Sequence, residues 1–224
     1  MCPISTSTCY TLFILNTIHF RTKHDETSRQ LKSMLYDVFF RWSNTINMEA
    51  KAPTSISISK RRPDASVDHA EGNHLQQTFG FGEVKSHSET KNHHAVSMDL
   101  IRLSVFSKNA TDLGNLKGVL SFQAIGNQVT FYITKLLSDG LYVMLEIGHI
   151  EVPRSLRELA SYLAHLDDVL NLVHAFHNEC GAATAVEETM IEARKRPTMT
   201  TPEMIRVVDP TRSRKRPCRT AHYS

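Results

Sequence analysis

The chain has 224 residues, 41% of them hydrophobic and 22% charged, which is the balance of a globular protein with room for one ordinary core. Nine Gly and eight Pro exclude collagen-like and low-complexity architectures, and no internal repeat is present. Charge is segregated: residues 194–224 hold nine Lys/Arg against two acids, a net +7, leaving 17 basic and 21 acidic residues, a net −4, in the rest. The body is therefore not a broadly basic surface, and attraction to phosphate must come from the tail or from a local patch.

Cys2, Cys9, Cys180 and Cys218 form no Cys-x-x-Cys pair and two lie near the chain ends, so they are not a disulfide framework. This favours a reducing, intracellular compartment. Residues 9–20 are moderately apolar, but no basic residue precedes them and the run is too short to span a bilayer. No membrane partner is expected.

In chain order, Leu31, Met34, Leu35, Val38, Phe39 and Trp42 fall on one helical stripe, with Asp25, Thr27 and Ser28 as capping candidates. Thr54–Lys60 alternates polar and apolar with period two and reads as a strand. Asp64–Asp68 reads as a second short strand, residues 69–75 as a polar loop, and Gln76–Lys85 as a third strand. Helical spacing returns over Ala95–Leu113. Three strands follow, at 119–125, 129–137 and 141–147, separated by Gly126-Asn127 and Ser138-Asp139-Gly140 hairpin signals.

Leu156, Leu159, Leu163, Leu166, Leu170 and Val173 alternate three and four apart. They predict a long helix opened by a Ser155-x-x-Glu158 capping box and packed through that seam on the sheet; a dimerising coiled coil is the competing reading. Residues 183–193 read as one more short helix. From Arg194 on, four prolines and few large apolar residues predict a mostly disordered tail. The expected organisation is a poorly ordered segment over 1–26, an α/β domain with a mixed sheet flanked by helices over 27–180, and a basic tail over 181–224.

Glu83 and Lys85 lie two apart on a predicted strand, so both face the same side with Val84 opposite. An Asp64 on the neighbouring strand brings a second carboxylate alongside. Two hard oxygen ligands and an ammonium at one sheet edge suit Mg²⁺ and phosphodiester hydrolysis, with the lysine orienting water and balancing charge on phosphate.

Pro63-Asp64, eighteen residues, then Glu83-Val84-Lys85 resembles the signature of the PD-(D/E)XK nuclease superfamily. The resemblance implies a restriction-endonuclease-like core with added antiparallel strands. It implies Asp64 and Glu83 as metal ligands and Lys85 as the catalytic lysine. An upstream acid common in that superfamily has Glu26, Asp37 and Glu49 as candidates here. Phe81–Lys85, Asp99-Leu-Ile-Arg102, Phe106-Ser-Lys-Asn109, Gly118–Phe131, Gly140–Pro153 and Arg212–Pro217 also resemble a family of uncharacterised fungal proteins.

Other features point elsewhere. His69, His74, His87, His93 and His94 crowd one region without the regular spacing of a zinc site. His174, His177 and Cys180 recur three apart, which drifts off a single helical line. Gly80-Phe81-Gly82 lies within a strand, so it is no dinucleotide loop; glycine there permits close approach on the Val84 face. Walker A, Gly-x-Ser-x-Gly and His-Glu-x-x-His sequences are absent.

Arg194-Lys195-Arg196 and Arg212, Arg214, Lys215 and Arg216 form two basic clusters. They read as a nuclear-targeting signal for the import machinery or as a phosphate-binding tail. The expectation is a Mg²⁺-dependent nuclease-like phosphodiesterase located in the nucleus. The alternative is a catalytically inactive nuclear domain of the same fold that binds nucleic acid or protein.

Overall fold

Alternation of polar and apolar residues builds the centre of the chain into one sheet. The computed structural model describes residues 38–42, 63–71 and 74–200, together with Glu203 and Arg206. Strands β1 (Val38–Trp42), β2 (Ala65–Glu71), β3 (His74–Lys85), β4 (Leu116–Ile125), β5 (Gln128–Ser138) and β6 (Leu141–Glu151) lie side by side in that order. A two-residue β7 (Gly181–Ala182) pairs with the start of β4. The one parallel pair is β3 with β4, joined by helix α1 (His93–Gly114); all other pairings are antiparallel. The fold is thus α/β with a mixed sheet and flanking helices, as expected.

Both turns of the β4–β5–β6 meander use glycine where the chain must turn left: Gly126 and Gly140 each have φ +63°. Helix α1 starts on Asn92, whose Oδ1 accepts the Ala95 amide at 3.2 Å. It ends on Asn115 in the left-handed conformation, φ 47°. One face of α1 packs Leu103, Phe106 and Ala110 on Phe81, Leu116 and Val119. The opposite sheet face, with Phe122, Phe131 and Ile150, receives Tyr162 and helix α3 (Leu166–Glu179) through Val169 and Leu172.

Several expectations are corrected. The stripe ending at Trp42 predicted helix, but its last five residues form β1, antiparallel to β2. Val38, Phe39, Phe40 and Trp42 are β-branched or aromatic, and the free edge of β2 outweighs their helical spacing. The loop expected over 69–75 is shorter: β2 and β3 continue to Glu71 and His74, leaving only residues 72 and 73 between them. The predicted strand at 54–60, the first part of the predicted helix, and Glu26, Asp37 and Glu49 lie outside the described residues.

The leucine helix is also redrawn. After a 3-10 turn at Leu156–Glu158, the one-turn α2 (Leu159–Tyr162) and a second 3-10 turn at Leu163–His165 precede α3. Leu159, Leu163 and Leu170 are exposed, whereas Tyr162, Val169 and Leu172 are buried. The leucine seam is therefore not what packs on the sheet; Gly148 of β6 leaves space that the Leu172 side chain fills.

The chain beyond residue 180 belongs to the fold further than expected. Helix α4 (Ala185–Arg194) carries the reciprocal capping box, Thr184 with Glu187. The following strap is tied down: Lys108 Nζ donates to the Arg196 carbonyl at 2.6 Å, and Thr198 Oγ1 donates to Asn109 Oδ1 at 2.8 Å. Among the described residues, no helix is long and apolar enough to cross a membrane.

Gly82 shows how tightly the site is held from behind. A Cβ there would lie 2.0 Å from Cζ of Phe122, whose ring occupies the space. Gly82→Ala is expected to destabilise by about 1–3 kcal/mol through overpacking and to displace the adjacent Glu83. Urea denaturation checks this, and an unchanged midpoint would refute it.

Candidate functional site

Asp64 sits immediately before β2, and the Ala65–Gly82 pairing sets it abreast of Glu83. Its Oδ2 accepts the Val84 backbone amide at 3.0 Å, which fixes the carboxylate against β3. Strand alternation turns Glu83 and Lys85 to the same face, the one covered by α1. The Asp64 and Glu83 carboxyl groups lie close enough on this face for their charges to interact.

Glu83 is only 2% exposed. Burial, and then the neighbouring Asp64 charge, raise its pKa from 4.5 to about 7, against the lowering effect of Arg102 and Lys85. Glu83 therefore keeps its proton to near neutral pH, chiefly because burial disfavours its charged form.

Helix α1 supplies the rest. Asp99, fully buried, meets Lys85 Nζ at 3.0 Å and forms a second ion pair with Arg102, one turn along. Arg102 Nε lies 3.8 Å from Glu83 Oε1. On the other side of Glu83, its β4 partner Gln123 donates from Nε2 to the Val96 carbonyl at 2.9 Å. Three acids and two bases meet here, a net −1 with all ionised, so the charges balance when Glu83 carries a proton, and a divalent cation would bring the cluster to +1.

The donor set fits a hard divalent cation. Glu83 Oε1 is buried and lacks a hydrogen-bond partner, and Asp64 lies beside it. Mg²⁺ is commonly held by one or two carboxylates, with water and phosphate completing its shell. Among the described residues, no group of three or more His, Cys, Asp or Glu could hold a metal ion, so protein carboxylates would supply only part of the coordination.

The other sequence candidates are elsewhere. His87, His93 and His94 are exposed on the 3-10 turn and the start of α1, while His69 packs against the Phe79 ring with centroids 5.5 Å apart. His177 has its pKa lowered by burial and by His174, and burial pushes the Cys180 thiol up to about 12. Those are properties of a packed helix end.

The first basic cluster is not at the carboxylate pair. Arg196 pairs with Asp139 in the β5–β6 turn, Lys195 pairs with Glu192, and the Arg194 carbonyl accepts the Gly140 amide at 2.8 Å. The strap is held by Lys108, nine residues and about 13 Å along α1 from Asp99. Arg212, Arg214, Lys215 and Arg216 lie outside the described residues.

Asp99 and Arg102 are the site residues that spacing alone did not single out. Their signal was available: an acid and a base three apart, interrupting the apolar positions of a helix that follows the Glu-x-Lys strand. Comparison of the chain with protein-family models, with curated proteins and with solved structures gave no match.

Proposed function

We propose that this protein is a nuclease-like, Mg²⁺-dependent phosphodiesterase acting on nucleic acid, of the PD-(D/E)XK type. The observation that carries the reading is the meeting of Asp64 and Glu83 on one sheet face with Lys85 beside them.

Asp64 and Glu83 would hold the cation, which when bound supplies Lewis-acid polarisation of the phosphate and a more acidic water. Asp64 is pre-aimed by the Val84 amide. Glu83 must give up its proton to become a ligand; burial and the Asp64 charge oppose that release, and the positive charge of a bound cation would offset them. Asp99 holds Lys85 at the site, and the lysine is partly exposed, so its ammonium can turn from Asp99 toward a phosphate oxygen. Arg102 beside Glu83 offsets part of the negative charge of the carboxylate pair. Gln123 and the first turns of α1 close the back of the site.

The non-catalytic reading has one observation in its favour. Lys85 and Arg102 already neutralise two of the three acids, which makes a self-satisfied structural cluster. Nuclear targeting through the basic tail goes with either reading; it has to account for the engagement of Arg196 by Asp139.

The deciding experiment is Mg²⁺ titration by calorimetry together with cleavage of plasmid and single-stranded DNA by the full chain. Glu83→Ala and Lys85→Ala, singly and together, are expected to lower the cleavage rate by on the order of a hundredfold or more. A folded protein that neither binds Mg²⁺ nor cleaves would overturn the enzymatic reading.

A further inference from the structure

The polar face that carries Glu83 does not stop at β4. By strand pairing, Glu83 lies abreast of Gln123, Gln123 of Thr130, and Thr130 of His149. Three strand spacings put His149 about 14 Å from Glu83 on the same face. The row is joined by hydrogen bonds between Thr130 Oγ1 and His149 Nδ1 at 2.8 Å and between His149 Nε2 and Gln128 Oε1, with Tyr132 beside Thr130. Tyr132 is half-buried and His149 exposed, so two planar rings stand beside α1 with amide and hydroxyl groups between them.

Charge narrows what such a surface can receive. Glu146, paired across from Tyr132, and Glu151, paired with Gln128, border the row with exposed carboxylates. They repel phosphate at short range, so a polyanionic backbone is not held directly against them. Planar bases are uncharged and stack on aromatic rings such as those of Tyr132 and His149. Bases are open to this contact only when unpaired.

We infer that Gln128, Thr130, Tyr132 and His149 form a base-contacting track for single-stranded nucleic acid, on the same sheet face as the Asp64–Glu83 pair and separated from it by the buried Gln123. The inference rests on the proposed function for the chemical nature of the ligand. In the bound state the bases face β5 and β6, and the sugar–phosphate chain faces solvent.

The test is binding, kept separate from cleavage. Fluorescence anisotropy of a labelled mixed-sequence single strand, and of a hairpin duplex of the same composition, is measured with the full chain in EDTA over a series of salt concentrations. The single strand is expected to bind more tightly than the duplex. Tyr132→Ala and His149→Ala are each expected to weaken single-strand binding roughly tenfold, while Tyr132→Phe keeps it. The slope of log affinity against log salt is expected to stay the same, because no phosphate contact is removed.

Equal affinity in the wild type and the His149→Ala variant overturns the inference, and so does a duplex bound as tightly as the single strand. A loss of affinity accompanied by a shallower salt slope also overturns it, because the residues would then be contacting phosphate. His149 is exposed, so its variant decides the matter even where Tyr132→Ala perturbs folding. Ring-dependent binding without Mg²⁺-dependent cleavage supports the track and removes the proposed activity. Cleavage with no such dependence does the reverse.

Discussion

Replacing Asp99 by Ala is expected to cost about 3–5 kcal/mol of folding stability. Asp99 is completely buried and receives both Lys85 and Arg102. Its removal leaves the Arg102 guanidinium, 8% exposed, inside the protein with only Glu83 Oε1 at 3.8 Å as its counter-charge. The penalty is therefore that of an orphaned buried cation rather than of a lost surface pair. Urea denaturation at neutral pH measures it. A double variant, Asp99→Ala with Arg102→Leu, is expected to be less destabilised than the sum of the two single changes, because the orphan is gone. A cost below about 1 kcal/mol for Asp99→Ala would mean that solvent reaches the cluster and the pairs are ordinary.

The second large effect is a pH dependence set by Glu83. Its pKa is about 7 in the folded chain against an ordinary 4.5. Between those values the native state keeps a proton that the unfolded state has released. The resulting stability is whole below about 4.5, declines as pH rises, and is gone above about 7. At 1.36 kcal/mol per pKa unit, the window amounts to about 3 kcal/mol. Glu83→Gln cannot ionise, so the metal-free variant is expected to match the wild type in acid and exceed it by about that amount at pH 8. Urea midpoints for both proteins from pH 5 to 8 test this, and taking their difference cancels the histidines. A difference that stays flat would mean that Glu83 ionises as an exposed carboxyl does.

Legibility in the sequence followed the strength of the local pattern. The β4–β5–β6 meander and helix α1 were readable because alternation, glycine turns and helical spacing all agreed with the final packing. Val38–Trp42 was misread because helical spacing and β-propensity disagreed there, and the open edge of β2 decided between them. The leucine seam misled for a related reason. Leu159, Leu163 and Leu170 carry the regular spacing but are exposed, whereas Tyr162, Val169 and Leu172 have the phase that meets the sheet. Asp64, Glu83 and Lys85 could be placed together because a strand's period of two fixes the face. Asp99 and Arg102 could not be placed by that rule, since they reach the site by the crossover of α1 over the sheet, which is tertiary information.

The position of β6 has a consequence for how copies of this protein meet. It ends the sheet, it is eleven residues long, and among the described residues no strand pairs with its outer side. Leu141 and Leu145 on it are exposed. Such an edge is an open template for another chain, and proteins guard edges of this kind with charge. Glu146 and Glu151 stand on the same strand as those leucines. Carboxylates that turn phosphate away from the row also set like charges against one another when two β6 edges approach. The acids thus do a second service as gatekeepers against fibrous self-assembly.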